Sequence, residues 1–491
     1  MSVDPLTGVI RDDETGEELR YPLQSQDVDQ ATWLARELGN EVRYNHATKQ
    51  WHHWDTTSCT WAPDTVKDVE NRVIELGRVR VAKIASISGK DKEVAAAVKL
   101  VRRLFDIARI RSALDVLSSM PGYKTDGQDW DLDPYLLGCA NGVVDLRTGT
   151  FVEGLTAANG KVTKNTHIAF DPEAKCPLFL EFLPQITSGD KDLAAFFVQW
   201  FGYSLYGLNW EQRFLVLTGE GRNGKGAMTR AVRAAIGDYC AKADQGIYMK
   251  SKWGSARSSD ARADLMALRG TRVAVLSEPE GGQFNEELLK AHTGGDVISA
   301  RPLYGTIVSW EPSHTITFLT NKMPTVEDIG PAMAERVLVA DFRERYEGER
   351  KDTSLDEKLR AEAPGILALL IRSAAIYWRD RMAGEPFTYP ARVANASKAY
   401  LAANDPMGTA LAEAFVLEPG AKGYSRDLYQ AYLDWHAKSD DPNETLSQTA
   451  FGLLLQRRGC KRRRAEQGSV YIGIRPRSAL EMALAEDQAS E

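Results

Sequence analysis

GEGRNGKGAMT, residues 219–229, lies between the apolar run RFLVLT (213–218) and the helical pattern RAVRAAI (230–236). An apolar run that breaks into glycines and resumes as an amphipathic repeat predicts strand, tight loop and helix. Gly219, Gly224 and Lys225 stand at the spacing G-x-x-x-x-G-K, in which loop N–H groups surround phosphates and the lysine reaches the terminal ones. The position that normally carries a magnesium-binding Ser or Thr hydroxyl is Gly226. On its own letters the stretch supports only a weak phosphate-site reading.

Its neighbours strengthen it. Some fifty residues on, RGTRVAVLSEPEGG gives an apolar strand, Val273 to Leu276, running into Ser277-Glu278-Pro279-Glu280. A carboxylate at the C-terminal end of a strand in a parallel sheet sits beside such a loop. There such a carboxylate, Glu278 or Glu280, can hold magnesium through water and polarise an attacking water. The same letters also suit ordinary loop charges after a buried strand. SHTITFLTNKMP (313–324) predicts a further strand ending at Asn321, whose amide can orient a water near a terminal phosphate. In AMAERVLVADF (332–342), Arg336 opens a third apolar run.

The chain has 491 residues, so two to four domains are expected. A hydrophobic fraction of 43% and a charged fraction of 26% are those of a soluble globular protein, and no apolar run approaches a bilayer span. The first twenty residues lack the basic start and apolar stretch of a signal peptide. Five scattered cysteines form no C-x-x-C pair, so neither a disulfide framework nor a zinc site is expected, and a cytoplasmic setting fits. A net charge of -7 excludes a uniformly basic surface but not one basic patch or pore.

Trp51, Trp54 and Trp61 read as core or sheet-face aromatics in preference to a base-stacking platform, and His52 and His53 have no spaced partner ligands. Residues 65–120 carry helical patterning, and NGVVDLRTGTF (141–151) predicts strand and tight turn. APGILALLIRSAAIYWRDRM (363–382) suggests a helical, lid-like region.

The order, spacing and wording of these motifs resemble the superfamily III helicase module of phage and plasmid primase–helicase proteins, also found in the poxvirus primase–helicase. The resemblance covers roughly residues 30–475 and includes NGVVDLRTG, FDPEAKCPLFLEFL, GEGRNGKG, SEPEGGQFNEELLKAHTGGDVISARPLY, FLTNKMP and ERVLVADF. The long motif from 277 to 304 is far more specific than the glycine loop.

The resemblance implies a multidomain α/β protein with an AAA+ type P-loop ATPase core, a parallel sheet between helices. The core assembles as a hexameric homo-oligomer that moves 3′ to 5′ on single-stranded and forked DNA with ATP and Mg2+. Carried onto this sequence, Lys225 binds the β and γ phosphates, cradled by backbone of Gly219, Gly221, Asn223, Gly224, Gly226 and Ala227. Glu278 is the main Walker B carboxylate and the metal ligand, with Glu280 auxiliary to it, Asn321 is sensor 1 and Arg336 the arginine finger. The segment from Lys290 to about Tyr304 leads into a pore hairpin, with Arg301 and Tyr304 as DNA contacts. The implied units are a flexible leader (1–25), an N-terminal α+β and helical domain (26–190), the ATPase core (191–345), a helical lid or linker (346–404), a winged helix (405–480) and a tail (481–491).

Three departures from the family's wording stand out: Gly226 for the hydroxyl, Ser277-Glu278 where a pair of acids is usual, and Gly305 where a basic pore residue is usual. Thr229 lies one helical turn beyond Gly226. Slow ATP turnover is one consequence to expect. In the C-terminal unit, YSRDLYQAYLDWHAK and LSQTAFGLLLQRRG predict two helices, the second capped by Ser447, and CKRRRAEQGSVYIGI predicts a basic β-wing turning at Gln467-Gly468. Arg457, Arg458, Lys461, Arg462, Arg463 and Arg464 are then candidate DNA-backbone contacts. No primase signature is found before residue 190, so priming is expected from a separate chain. The rival reading is a DNA-binding initiator or loader whose ATP site drives assembly. A small-molecule kinase explains neither the long motif nor the C-terminal unit.

Overall fold

The computed structural model describes residues 27–86, 105–250, 262–277, 282–301, 307–326, 330–438, 445–465 and 468–478, with short pieces at 2–3, 9–11, 18–20, 92, 95, 98–99, 101–102 and 481. Glu278, Glu280, Tyr304, Gly305 and Gln467 lie outside the described residues, as does the side chain of Arg457. The pieces at 2–20 pair as a small antiparallel sheet where the sequence reads as a leader.

The N-terminal unit is helix α1 (Asp27–Leu38), strands β1 (Val42–Asn45), β2 (Gln50–Asp55) and β3 (Thr60–Pro63), helices α2 (Asp68–Ala85) and α3 (Ile107–Ser119), and strand β4 (Lys124–Thr125). The sheet order is β3-β2-β1-β4. Trp54 and Trp61 are buried against each other edge-on, and Trp51 is half-buried beside Tyr44, so these rings pack the fold. His52 is buried against Trp130. A meander follows: β5 (Leu136–Cys139), β6 (Gly142–Asp145) and β7 (Thr150–Glu153).

The centre of the molecule is built from α4 (Pro177–Ile186), α5 (Lys191–Ser204), β8 (Phe214–Thr218), α6 (Lys225–Ile236), β9 (Cys240–Ala243), β10 (Val273–Ser277), α7 (Glu286–Gly294), the hairpin β11 (Ile298–Ala300) and β12 (Val308–Trp310), β13 (Thr315–Thr320) and β14 (Val337–Asp341). Five of these strands form one parallel sheet in the order β9-β10-β13-β8-β14. Continuous apolar runs such as FLVL and VLVA are what a sheet covered on both faces requires. Leu215, Leu217, Val273, Leu338 and Ala340 face one core, with α5 and α6; Phe214, Val216, Ala274, Ile316 and Val337 face the other, with α7. The chain leaves β8 toward β9 on one side and leaves the adjacent β13 toward β14 on the other, so the topological switch point lies between β8 and β13, and ligands of open parallel sheets bind off the C-terminal ends there.

Helices α8 (Leu355–Ala361), α9 (Ala363–Met382) and α10 (Ala391–Ala403) complete the centre. The first core runs from Leu137 to Val393, across position 190, and includes Ile366, Leu367, Leu370, Ile371 and Ala374 of α9. A helix apolar on most of its circumference is a buried helix, so α9 is packed into the core against α5 and α6 and is no surface lid. Tyr239 ties the meander to this centre: its hydroxyl accepts from Gly138 N–H at 2.9 Å and donates to the Lys164 carbonyl at 3.0 Å. Ser397 of α10 accepts the Val339 N–H at 2.8 Å and so covers the edge strand β14.

The C-terminal unit comprises α11 (Pro406–Ala414), β15 (Phe415–Tyr424), α12 (Ser425–His436), α13 (Gln448–Arg457), β16 (Lys461–Ala465) and β17 (Gly468–Pro476), with sheet order β15-β17-β16 and a separate core around Leu428, Tyr432, Phe451 and Ile474. Ser447 caps α13, accepting the Ala450 N–H at 3.3 Å. Among the described residues no helix is long and apolar enough to cross a membrane.

Candidate functional site

The glycine loop leaves the C-terminal end of β8, at the switch point. Two of its glycines are required by space and by backbone. Gly219 has φ +143°, and a Cβ there would lie 2.3 Å from the Phe342 carbonyl oxygen; Gly224 has φ +90°, and its Cβ would lie 2.2 Å from Ile186 Cγ2. Asn223 shapes the turn, donating to the Glu220 carbonyl at 2.6 Å and accepting the Lys225 N–H at 3.4 Å. Helix α6 begins at Lys225 without a side-chain cap, which leaves first-turn N–H groups directed at the loop.

Lys225 is buried, and its ammonium donates to the Gly219 carbonyl at 2.5 Å and to Asn321 Oδ1 at 3.3 Å. Among the described residues no carboxylate pairs with it, and burial pushes its pKa down to about 8. Asn321 stands one residue past β13 and touches the lysine.

A cavity of about 970 Å³ opens here, lined by Gly221, Asn223, Gly224, Lys225, Gly226 and Ala227 of the loop, by Ser277 at the end of β10 and by Asn321 just past β13. Seven lysine and arginine side chains line it against two carboxylates, Asp352 and Asp356. Such a wall suits a polyanion. Leu178 and Phe182 of α4, with Tyr346 and Leu355, give it an apolar flank. Ser277, the last residue of β10, lies on the wall. Among the described residues no cluster of three His, Cys, Asp or Glu could hold a metal.

Thr229 lines the cavity, and its hydroxyl donates back to the carbonyls of Lys225 and Gly226, both at 3.2 Å. Arg336 stands just before β14, at the N-terminal edge of the sheet and opposite the loop. Its guanidinium donates to Thr293 Oγ1 at 3.2 Å, the Ala332 carbonyl at 2.6 Å and Gln212 Oε1 at 3.5 Å, and it does not line the cavity.

β11 and β12 pair antiparallel, with Ile298 opposite Trp310 and Ala300 opposite Val308, and Arg301 follows β11 directly. Lys290 is held by Glu286 at 3.5 Å, one turn earlier on α7. In the C-terminal unit Lys461, Arg462, Arg463 and Arg464 are all exposed along β16. Arg458 differs: it is paired with both oxygens of Asp405, at 2.6 and 2.5 Å.

Sequence reasoning missed much of the cavity wall. Arg230 and Arg233 follow Gly226 at i+4 and i+7, a helical-face signal that was there to read. Arg222, Lys242, Arg350 and Lys351 come from loops and an edge strand, where spacing carries no such signal.

Fold and site thus define a mixed α/β protein whose functional centre is a cationic cavity at the switch point of a parallel sheet. Residues 31–188 match the family model described as D5 N terminal like. The chain is 27% identical over 327 residues to "Putative helicase L207/L206" of Acanthamoeba polyphaga mimivirus, covering 62% of this chain and 33% of that protein. It is 26% identical over 261 residues to "Putative helicase 184R" of Invertebrate iridescent virus 6, covering 51% and 26%. The matched part therefore spans a third or less of these relatives. Among solved structures, the apo C-terminal region of NrS-1 is similar at 9% identity, with 91% of this chain and 99% of that one covered and a TM-score of 0.49. By this family model and these viral relatives, and by the motifs above, the chain is similar to phage-like primase–helicase proteins.

Proposed function

We propose that the chain is an ATP-dependent DNA helicase, acting as a hexameric ring that moves 3′ to 5′ on single-stranded DNA in replication of a phage, plasmid or mobile element within a bacterial cytoplasm. The observation that carries this reading is the buried Lys225, bonded to Asn321 inside a cationic cavity at the switch point. In it, the central sheet is an AAA+ core, and the loop amides and Lys225 hold the β and γ phosphates. Mg2+ would neutralise charge on those oxygens, with Glu278 as its protein ligand through water and Glu280 beside it. Asn321 orients the attacking water. The neighbouring subunit's copy of this chain supplies Arg336.

Arg336 also bonds Thr293, near the end of the helix that continues into the 298–310 hairpin. Engagement of Arg336 at a neighbour's phosphates therefore loads the hairpin, where Arg301 and Tyr304 grip DNA. The C-terminal unit acts as a winged helix whose β16 arginines track the backbone of forked DNA. A separate primase starts the new strand.

The test is ATP hydrolysis with and without single-stranded DNA, on the full chain and on Lys225→Ala. DNA-stimulated turnover that the substitution abolishes supports the motor. Nucleotide-bound, folded protein with no DNA stimulation supports the second reading, an initiator or loader whose ATP site drives assembly; Gly226 favours that reading, since it has no hydroxyl to hold a metal.

A further inference from the structure

Gly226 and Arg230 are one turn apart on α6. Helical side chains lean toward the N-terminus, so a residue at i+4 covers residue i. At Gly226 there is no side chain to cover: a Cβ would lie 2.9 Å from Arg230 Nη1 and 3.7 Å from its Cζ. The guanidinium thus fills the space that a Ser or Thr at 226 would need, on the wall of the cavity that contains Lys225. Its partner is Asp356 of α8: Nη2 meets the two carboxylate oxygens at 2.9 and 3.0 Å, and Nε meets one of them at 3.2 Å. Both side chains are 55% exposed, so the pair is a weak one that another anion can exchange into.

We propose that Arg230 is a phosphate-contacting residue of this site. In a loop ending G-K-[ST], part of the phosphate charge is neutralised through a metal held by the hydroxyl. Here the missing side chain admits an arginine from the next turn, whose planar fork matches two phosphate oxygens as it now matches two carboxylate oxygens. Asp356 holds the fork, and the polyphosphate displaces it. The inference rests on reading the cavity as a nucleotide site, and it assigns the compensation for Gly226 to Arg230 and not to Thr229.

The experiment measures ATP affinity calorimetrically on the full chain, in excess EDTA and in Mg2+, for Lys225→Ala, Arg230→Gln, Asp356→Asn and Gly226→Ser. Arg230→Gln is expected to weaken binding about tenfold in EDTA, the loss of a charge-assisted phosphate contact. Asp356→Asn, which frees the arginine, is expected to tighten it by about threefold. Gly226→Ser pushes the guanidinium away and supplies a hydroxyl, so binding in EDTA should weaken while the gain on adding Mg2+ grows. Opposite signs for Arg230→Gln and Asp356→Asn are the signature, because an ion pair that merely strapped α8 to α6 would shift both the same way. Equal signs, or an Arg230→Gln affinity within about twofold of the parent, overturn the proposal. Should Arg230→Gln fail to fold, the Gly226→Ser result decides, and an unchanged affinity in EDTA overturns it. Retained binding in Lys225→Ala would instead overturn the nucleotide site itself, which separates the two failures.

Discussion

Nucleotide binding at this site should take up a proton, and Lys225 sets the amount. Burial without a bonded carboxylate holds its pKa near 8 in place of the usual 10.5, so the ammonium is half neutral at pH 8. A bound triphosphate supplies the missing negative charge and returns the pKa toward or above its ordinary value. The uptake per nucleotide is then about 0.1 proton at pH 7, about 0.5 at pH 8 and about 0.9 at pH 9. The sign follows directly: the free protein has lost a proton that the complex holds, so affinity falls as pH rises. It is nearly flat below pH 7 and steepens toward tenfold per pH unit above 8. Calorimetry in two buffers of different ionisation enthalpy reads the proton count from the difference in apparent enthalpy. The control is Lys225→Arg, whose guanidinium stays charged throughout and should bind with no uptake. A proton count of zero for the parent chain at pH 8.5, or uptake that survives in Lys225→Arg, would refute the assignment of a depressed lysine to the phosphate site.

Removing the exposed β16 cluster by Arg462→Ala, Arg463→Ala and Arg464→Ala together should lower DNA affinity and reduce the salt slope by up to about 2.7 on duplex; an unchanged slope assigns the cluster to solvent. Arg458→Ala should leave that slope alone, because Asp405 already holds the guanidinium, and should lower the stability of the C-terminal unit by about 0.5–1 kcal/mol in urea. A slope that drops as it does for the β16 residues would show Arg458 on DNA instead. Tyr248 bonds His292 and His314 at 2.8 Å each beneath the sheet, so Tyr248→Phe should cost about 1–3 kcal/mol in unfolding free energy. Burial lowers the two imidazoles to about 4 and about 3, below their ordinary 6.5. Their contribution is therefore complete above pH 6.5 and is lost as pH falls toward 4, where the unfolded chain binds the protons. A stability curve flat from pH 6.5 to 4.5 would contradict it.

What the letters disclosed follows from where periodicity and sterics act. The strands at 214–218, 273–277, 315–320 and 337–341 were legible because a sheet buried on both faces demands unbroken apolar runs. The loop was legible because Gly219 and Gly224 tolerate no side chain. Asn321 followed from strand direction alone. The role of α4 was not legible: Ile186 packs on Gly224, and Phe182 lines the cavity, through a contact almost forty residues apart in sequence that no local pattern encodes. The helix at 363–382 was misjudged as lid-like because its flanking charges drew attention from an apolar surface too wide for an exposed helix. Arg458 read as one of a basic run, and only the fold shows Asp405 reaching it across more than fifty residues.

If Arg336 is the proposed arginine finger, its position makes hydrolysis depend on assembly. In a parallel sheet every strand has its C-terminal end on the cavity side, and Arg336 precedes β14 on the other side, with its carbonyl accepting the Phe214 N–H at 2.9 Å. Five residues of strand at about 3.3 Å each put roughly 15 Å between the two edges, farther than an arginine side chain reaches. Within one chain the guanidinium is satisfied by Thr293, Ala332 and Gln212, so a single subunit has no means of bringing it to its own phosphates. If Arg336 stabilises transition-state charge, turnover per subunit must rise with protein concentration until assembly is complete, while nucleotide affinity per subunit stays level. Arg336→Ala should abolish the rise and spare the affinity. Mixing it with Lys225→Ala subunits, which keep Arg336 but cannot hydrolyse, should restore turnover at the mixed contacts. Turnover independent of concentration down to the monomer range would place the catalytic cation within the same chain and remove Arg336 from the mechanism.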